Sequence, residues 1–233
     1  MNDKLKFLKK FYGNKKLTFN ELKEKMPSNI FTYYIKKFVK EGLVEKENNF
    51  YFLTQKGEEA ICYLDKYSGF SSLKQPIHDV FLVPMKSDKF LVMKRTKRPF
   101  LGTVMPIGGK LRSGESIFEC VERKLMEDTG LTGEIKLNGL IDVRTFKNGK
   151  LFLHHILNVF KITKTKGELI KKTDKGENFW VSEKKYFSQK NILTAMKEHL
   201  EIVKSKKFIF LELNQYMEND RFVKSEVVRK IKF

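Results

Sequence analysis

The amino-acid sequence predicts an α+β protein built from two domains. Apolar side chains recur at mainly helical spacing through residues 1–67, whereas strand-like runs rich in Val, Ile, Leu and Phe dominate after that. Residues 68–76 are small and polar and end in proline, which is typical of a linker. We therefore predict one domain at 1–67, a second at 77–205, and a C-terminal extension at 206–233 that we expect to form a strand hairpin.

The composition indicates a globular protein with a strong positive charge. Of 233 residues, 47 are Lys or Arg and 28 are Asp or Glu, which gives a net charge of +19, and 41% are hydrophobic. That hydrophobic share is enough for packed cores and argues against global disorder. The charge favours polyanions such as nucleic acid, phosphorylated small molecules or an anionic membrane surface; a generally lysine-rich composition is the alternative explanation.

No segment of the sequence indicates membrane insertion, secretion or a cysteine framework. No apolar run approaches the roughly 20 residues that span a bilayer, and the N-terminus lacks the apolar core of a secretory signal. The two cysteines, Cys62 and Cys120, are far apart in sequence, which argues against a disulfide framework or a zinc cluster. We expect a soluble cytoplasmic protein that does not bind membranes.

The first domain begins with two predicted helices. Apolar residues at helical spacing predict the first helix over Lys4–Tyr12. Thr18 and Glu21 match a capping box, in which each side chain accepts a hydrogen bond from the backbone amide of the other residue. This pair predicts a second helix that ends at Met26-Pro27.

A third helix, a strand pair and a final helix follow. Ser28 is expected to cap a helix over Asn29–Glu41, and Gly42 supplies the left-handed residue that ends it. Two short apolar runs on either side of the polar turn 46–49 predict a two-stranded antiparallel wing. The last helix of the domain is expected to run through Lys66.

This order resembles winged helix-turn-helix transcription regulators over residues 1–67, and the segments 41–44 and 52–57 (EGLV and FLTQKG) carry the likeness. The resemblance implies that the third helix enters the major groove of double-stranded DNA. Its solvent side holds residue types that suit contacts to phosphates and bases: Asn29, Thr32, Tyr33, Lys36, Lys37 and Lys40. The alternative is a module for protein contacts or dimerisation whose lysines are only solvated.

The second domain reads as strands interrupted by helices. Strands are predicted at Ile77–Met85, Phe90–Lys94, Glu134–Phe146 and Leu151–Ile162. Helices are predicted at Ser116–Thr129 and Asn191–Ser205, the second with Ile192, Met196, His199 and Val203 on one stripe.

One long motif lies within this domain. Residues 109–131 read GKLRSGESIFECVERKLMEDTGL and fit without a gap the Nudix box, G-x5-E-x7-R-E-U-x-E-E-x-G-U with U aliphatic. The positions in register are Gly109, Glu115, Arg123, Leu125, Glu127, Asp128, Gly130 and Leu131. A pattern of this length is far more specific than a short glycine motif. The second domain thus resembles the Nudix hydrolase superfamily.

The resemblance implies an α/β/α sandwich with a mixed sheet and a divalent metal ion at the box. Its substrates would be nucleoside diphosphates linked to another group. Cleavage of a pyrophosphate requires stabilised negative charge and an activated water, which suits Mg²⁺ or Mn²⁺ held by carboxylates. Glu127 and Asp128 are the candidate catalytic and metal-binding acids, and Asp174 or Glu177 is the candidate for a further acid from outside the box.

Lys124 departs from the family pattern, because it stands where the box has glutamate. Residues i, i+3 and i+4 share one face of a helix, so Lys124 is expected beside Glu127 and Asp128. Its ammonium could form salt bridges to both acids at the place of the metal. A flexible lysine side chain could instead turn away from them. We therefore expect the metal ion to be weakly bound or absent.

The remaining candidates frame the box. Glu115 and Arg123 are expected to form an ion pair that shapes it. Four residues are candidates for ligand binding: Gly108, Gly109, Lys110 and Arg95. The two glycines suit a tight turn and a backbone cradle for phosphate equally well.

Together these observations favour a DNA-binding transcription regulator whose Nudix-fold domain binds a nucleoside-diphosphate-type ligand with weak or no hydrolysis. The alternative is an active Mg²⁺-dependent Nudix pyrophosphohydrolase in which another acid activates water. A third alternative is a pure interaction protein. The C-terminal extension suggests a homodimer.

Overall fold

A computed structural model of the chain describes residues 7–8, 10–14, 16–23, 26–62 and 76–233. The chain divides into two compact units, residues 1–74 with 97–101, and residues 75–96 with 102–233. None of the described helices is long and apolar enough to cross a membrane.

The N-terminal unit combines short helices with a three-stranded sheet. Its described elements are a 3-10 turn at Lys10–Tyr12, β1 (Leu17–Thr18), α1 (Phe19–Lys23), α2 (Ser28–Lys40), β2 (Val44–Glu47), β3 (Phe50–Leu53) and α3 (Gln55–Cys62). The sheet has the order β1-β3-β2 and is antiparallel throughout. Helix α2 buries Phe31, Ile35 and Phe38 in the core of this unit, where Phe7 and Leu22 are also buried.

Two local predictions for this unit agree with the structure. The Thr18 backbone amide donates to Glu21 Oε2 at 2.7 Å, and the Glu21 amide donates to Thr18 Oγ1 at 3.4 Å, so the capping box is formed. Gly42 follows α2 with a φ of +68°, in the left-handed region. Part of the predicted helix over Lys4–Tyr12 lies outside the described residues, as do Lys66 and the linker up to Pro76.

The predicted cap at Ser28 is wrong. Ser28 is the first helical residue of α2, and Pro27 takes the cap position without a side-chain hydrogen bond. The Pro27 carbonyl accepts from the Phe31 amide at 2.9 Å, and its ring fixes a φ that leads directly into the helix. Strand β1 was not predicted either; a two-residue strand carries too little periodicity to be recognised in a sequence.

The second unit is built on a nine-stranded mixed sheet. Its elements are β4 (Ile77–Lys86), β5 (Lys89–Arg95), β6 (Val104–Met105), β7 (Ile107–Lys110), α4 (Ile117–Thr129), β8 (Thr132–Lys147), β9 (Lys150–Lys166), β10 (Gly176–Ser182), α5 (Glu183–Phe187), α6 (Met196–Lys204), β11 (Ile209–Glu218) and β12 (Arg221–Lys232). The strand order is β10-β5-β4-β9-β8-β11-β12, with β6 beside β5 and β7 beside β4. The pairs β4/β9 and β8/β11 are parallel and the others are antiparallel.

Helices cover both faces of this sheet. Neighbouring residues of a strand point to opposite faces. Leu82 of β4 packs in one core with Val121 of α4. The adjacent Phe81 contacts His199 of α6, with ring centroids 4.3 Å apart and ring planes tilted by 36°. Helix α4 therefore lies on one face and α6 on the other, which gives an α+β fold with a mixed sheet in three layers.

The last predicted helix begins later than expected, at Met196 rather than Asn191. The segment before it is held as an extended strand partner: the Val104 amide donates to the Asn191 carbonyl at 2.8 Å. The Leu193 amide donates to the buried Tyr186 hydroxyl at 3.1 Å. These long-range bonds override the helical periodicity of the sequence.

The C-terminal segment forms an antiparallel hairpin of β11 and β12. Strand β11 also pairs in parallel with β8, with Ile209 opposite Gly139 and Met217 opposite Lys147. The hairpin therefore widens the central sheet and places β12 at its edge.

Candidate functional site

Helix α4 presents the charged residues of the box. The Ser116 amide donates to Glu119 Oε2 at 2.7 Å and the Glu119 amide donates to Ser116 Oγ at 3.2 Å, so a capping box fixes its first turn. Cys120, Val121 and Leu125 are buried against the sheet. This packing fixes the rotation of the helix and therefore the directions of the side chains between them.

Lys124 contacts both acids that follow it on the helix. Its Nζ lies 2.7 Å from Asp128 Oδ2 and 3.6 Å from Glu127 Oε2. Only 6% of the Lys124 side chain and 4% of the Asp128 side chain are exposed, whereas 43% of the Glu127 side chain is exposed. The lysine thus turns towards the acids and forms a buried ion pair with Asp128.

Gly109 provides the space for the Lys124 side chain. A Cβ atom at Gly109 would lie 2.4 Å from Lys124 Cε and 2.8 Å from its Cδ. The methylene groups of the lysine therefore cross the backbone at the position that any other side chain would occupy.

A second lysine meets Asp128 from outside the helix. Lys175 Nζ lies 2.5 Å from Asp128 Oδ1, so each carboxylate oxygen of Asp128 accepts from a different ammonium group. The two candidate acids on either side of this lysine, Asp174 and Glu177, are both exposed. Lys175 was not predicted, because nothing in a lysine-rich segment of the sequence distinguishes the lysine that contacts the box.

The backbone around Lys175 is held in place. The Lys175 carbonyl accepts from the Thr96 amide at 2.9 Å, and its amide donates to Thr173 Oγ1 at 3.2 Å. Gly176 follows so close to strand β5 that an added Cβ would lie 2.3 Å from the Lys94 carbonyl oxygen. Lys175 therefore projects from a fixed turn.

The two lysines differ in how their environment affects protonation. Burial lowers the pKa of Lys124, and attraction to Asp128 offsets this only in part. Burial also opposes the charge on Lys175, but attraction and hydrogen bonding to Asp128 outweigh it and keep the Lys175 pKa above its ordinary value. The more exposed lysine is thus the stronger base of the two.

Glu115 and Arg123 form a bidentate ion pair. Arg123 Nε lies 2.5 Å from Glu115 Oε1, and Arg123 Nη2 lies 2.8 Å from Glu115 Oε2. The Arg112 amide also donates to Glu115, at 2.9 Å. Hydrogen bonds from Arg123 lower the pKa of Glu115 to about 2. Arg123 further reaches the Lys110 carbonyl and Glu127 at 3.4 and 3.3 Å, so it joins the loop to the helix.

Asn178 connects strand β10 to the end of helix α4 by side-chain hydrogen bonds. Its Nδ2 donates to the Asp128 carbonyl at 2.6 Å and to the Ile170 carbonyl at 2.8 Å. The residue is only 4% exposed. No pattern in the sequence distinguishes this asparagine; its burial, which requires hydrogen-bond partners, is visible only in the structure.

A small cleft opens beside this cluster. Its lining consists of Met93, Arg95, Met105, Pro106, Ile107, Gly108, Asp128 and Lys175. Two of the predicted ligand-binding residues, Arg95 and Gly108, thus border the same space as Lys175. Gly109 and Lys110 lie further along β7, where Gly109 pairs with Val80 of β4.

The residues at Asp128 do not fit a divalent metal ion. Among the described residues, no group of three or more His, Cys, Asp or Glu side chains could hold a metal. Both oxygens of Asp128 are already engaged by ammonium groups. A unit positive charge about 5 Å from a divalent ion costs roughly 7 kcal/mol at an effective dielectric near 20. Two lysines at this carboxylate therefore oppose Mg²⁺ or Mn²⁺ strongly.

The residues predicted to contact DNA lie on α2 of the N-terminal unit. Asn29, Tyr33, Lys36, Lys37 and Lys40 are exposed, and Thr32 is half-buried. They lie opposite the buried side of the helix, which carries Phe31, Ile35 and Phe38. The helix thus presents a basic surface that also exposes the aromatic ring of Tyr33 and the aliphatic side chains of Ile30 and Val39.

Comparisons with known proteins show which family the second unit resembles. A family model described as "NUDIX domain" matches residues 76–204. An ADP-ribose pyrophosphatase of Methanocaldococcus jannaschii is 30% identical over 119 residues, which cover 51% of this chain and 66% of that protein, slightly less than two thirds of its length.

Solved structures show the same fold. The mutator MutT protein from Bacillus halodurans superimposes with a TM-score of 0.53 at 22% identity, over 65% of this chain and 97% of that one. The NUDIX domain of Shewanella oneidensis NrtR, solved with ADP ribose, gives a TM-score of 0.46 at 18% identity, over 63% and 93%. The first likeness supports the fold alone, and the second is too slight to support an argument.

Proposed function

Because the chain belongs to the Nudix domain family through residues 76–204, we propose that it is a DNA-binding transcription regulator whose Nudix domain binds a nucleoside-diphosphate-type ligand with weak or no hydrolysis. One observation carries the catalytic part of this proposal: Lys124 Nζ lies 2.7 Å from Asp128 Oδ2, in a buried ion pair. A carboxylate that neutralises lysine is a poor ligand for the metal on which pyrophosphate cleavage depends.

The ligand class follows from the family and the cleft. The relative of 30% identity is named for ADP-ribose, a nucleoside diphosphate linked to a second sugar. Arg95, Lys175 and the backbone at Gly108 line a space that suits phosphate groups. An ADP-ribose-type compound is therefore the first ligand to test.

The DNA partner follows from the N-terminal unit. Helix α2 carries three exposed lysines together with Asn29 and Tyr33, and the net charge of +19 adds a general attraction to polyanions. A helix of this kind packed on a small antiparallel sheet is the arrangement in which winged helix proteins read the major groove. We propose that the protein acts in the cytoplasm.

We also propose that the protein is a homodimer. Strand β12 lies at the edge of the sheet, and its exposed residues include Val223, Val227 and Val228. The strand also carries charged residues, among them Lys224, Arg229 and Lys230, and its backbone edge is a surface for pairing with a second copy. Light scattering measures this directly, and a monomer at all concentrations would contradict the dimer without affecting ligand binding.

A turnover assay tests the catalytic part of the proposal. The protein is incubated with Mg²⁺ or Mn²⁺ and a panel of nucleoside triphosphates, dinucleotides and nucleotide sugars, and products are identified by mass spectrometry. We expect little or no turnover by the native protein and a gain of turnover in Lys124→Glu. Rapid native turnover would contradict the proposal.

The second candidate function is an active Mg²⁺-dependent pyrophosphohydrolase. It is favoured by the 30% identity to an ADP-ribose pyrophosphatase and by the exposure of Glu127, which leaves that carboxylate accessible to water. On this alternative, Glu127→Gln abolishes a measurable native rate. An exposed acid elsewhere on the same helix provides the control, and Glu122→Gln should leave that rate unchanged.

A further inference from the structure

The charges around Asp128 leave an excess of positive charge beside the cleft. Asp128 is shared by Lys124 and Lys175, at 2.7 and 2.5 Å. The neighbouring acid, Glu127, is itself shared by Lys124 at 3.6 Å, Arg123 at 3.3 Å and Arg112 at 3.5 Å. Four cationic side chains thus meet these two acids, and Glu115, which pairs with Arg123, raises the number of carboxylates to three. One positive charge remains in excess, in surroundings where water screens the charges only in part.

The two lysines lie at different depths. The Lys175 side chain is 36% exposed and lines the cleft, whereas the Lys124 side chain is 6% exposed and lies behind Asp128. Lys175 can therefore touch a bound anion directly. Lys124 acts at longer range, by neutralising Asp128, whose carboxylate would otherwise repel phosphate.

The site is also preorganised. The turn from Thr173 to Gly176 fixes the backbone of Lys175, and Asp128 holds its ammonium group. A lysine that is already ordered loses less rotamer entropy when it binds an anion. The cleft is small and is bordered by the cationic side chains of Lys175 and Arg95, which suits contact with a phosphate group of a larger molecule.

We propose that Lys124 and Lys175 replace the divalent ion of this site, so that the domain binds the diphosphate group of its ligand without metal. Lys175 and Arg95 contact the phosphate oxygens, and Lys124 neutralises Asp128 behind them. This inference rests on the proposed binding of a nucleoside diphosphate. It goes further because it assigns the neutralisation of negative charge, which a metal ion would otherwise provide, to two side chains of the protein.

Isothermal titration of the full-length protein tests the inference, with ADP-ribose and inorganic pyrophosphate as probes, in EDTA and in Mg²⁺. We expect the native dissociation constants in the two conditions to agree within about twofold. Lys175→Met should weaken binding about tenfold or more in both, because a charge-assisted hydrogen bond is lost. Lys171→Met is the matched control, since it removes an exposed lysine from the same segment, and it should bind like the native protein.

Lys124→Glu supplies the reciprocal test. Its added carboxylate beside Asp128 should abolish binding in EDTA, and Mg²⁺ should restore it. Thermal melting of each variant shows whether it is folded, and Lys175→Arg, which keeps the charge, should bind better than Lys175→Met in every condition.

The outcomes separate the inference from the function on which it rests. Native binding that requires Mg²⁺ would overturn the inference and leave the proposed ligand binding intact, as would equal affinities for Lys175→Met and Lys171→Met. Binding in EDTA without any effect of ADP-ribose on DNA affinity would support the inference and contradict the regulator. Failure of both probes to bind in either condition would overturn both.

Discussion

Asp128 is the residue whose loss we expect to be most costly. It is 3% exposed and neutralises two lysines, one of them almost fully buried. Asp128→Asn would leave Lys124 buried with only the exposed Glu127, 3.6 Å away, as a counter-ion, and the loss of one partner from a buried pair costs about 3–5 kcal/mol. Urea unfolding of the variant and the native protein measures this difference.

An acid on the exposed side of the same helix is the matched control for that change. Glu122→Gln should alter the free energy of unfolding by no more than about 0.5 kcal/mol, as is usual for surface positions. If Asp128→Asn were as stable as Glu122→Gln, the ion pairs around Asp128 would not be formed in solution.

Glu115 should give the protein a distinct acid dependence. Its pKa falls from 4.5 to about 2 on folding because Arg123 donates to it. A carboxyl group with a lowered folded pKa stabilises the protein above its unfolded pKa, and this contribution is lost as the pH falls from 4.5 towards 2. Glu115→Gln should therefore be less stable than the native protein at neutral pH, and the difference should shrink across that range.

Urea unfolding at a series of pH values measures the dependence on Glu115. A difference between native protein and Glu115→Gln that stays constant from neutral to acid pH would show that the ion pair with Arg123 contributes nothing to it.

At the scale of single residues, spacing in the sequence predicts contacts between side chains of one helix. It does not predict contacts with residues from a distant part of the chain. Lys124, Glu127 and Asp128 are three and four positions apart, so their contacts follow from helical geometry alone. Lys175 lies 47 positions from Asp128. The pairing of β10 with β5 and the hydrogen bond from Asn178 to the Asp128 carbonyl bring the two together. The position of Lys175 in the site could therefore not be predicted from a pattern in the sequence.

The start of helix α4 is an element on which the site depends. Ser116 and Glu119 cap it reciprocally, at 3.2 and 2.7 Å. Ser116→Ala would leave an amide of the first turn without its acceptor and should cost about 1 kcal/mol, within the usual 0.5–2. Thermal or urea unfolding measures this loss. Ser113→Ala, in the exposed loop just before the helix, should have no comparable effect.

Boundaries of elements were predicted less well than the elements themselves. The four main strands and α4 were placed within a few residues, because period-two and helical patterns extend over many positions. Ser28 and Asn191 were misassigned because each boundary is set by a specific partner: the Pro27 ring at one, and the Val104 amide at the other. Proline geometry and tertiary contacts set these boundaries, and the periodicity of apolar residues contains no information about either.

At the scale of the whole molecule, the proposed regulator requires that its two sites influence each other. If ADP-ribose changes the affinity for DNA by some factor, DNA must change the affinity for ADP-ribose by the same factor, typically about 5–150-fold. Mobility shifts on a DNA fragment selected from a random pool, with and without ADP-ribose, measure this coupling. Equal DNA affinity in both conditions would contradict regulation by this ligand.

A variant on α2 separates the two activities. Lys36→Ala should weaken DNA binding and lower its salt dependence by about one counter-ion, because a contact to phosphate is lost. Its affinity for ADP-ribose without DNA should equal that of the native protein. Weakened binding of both partners would indicate a folding defect and not a DNA contact.

The space above Gly109 also bears on how such a protein could arise. Codons for glutamate and lysine differ by one base, so a single mutation in an ancestor with the usual box suffices to change the residue at position 124. The absence of a Cβ at Gly109 lets the longer side chain lie across the backbone without a substitution at that position. The exchange of glutamate for lysine at position 124 thus requires no change at Gly109, because the glycine of the motif already accommodates the lysine; the proposed metal-free site depends on Lys175 as well.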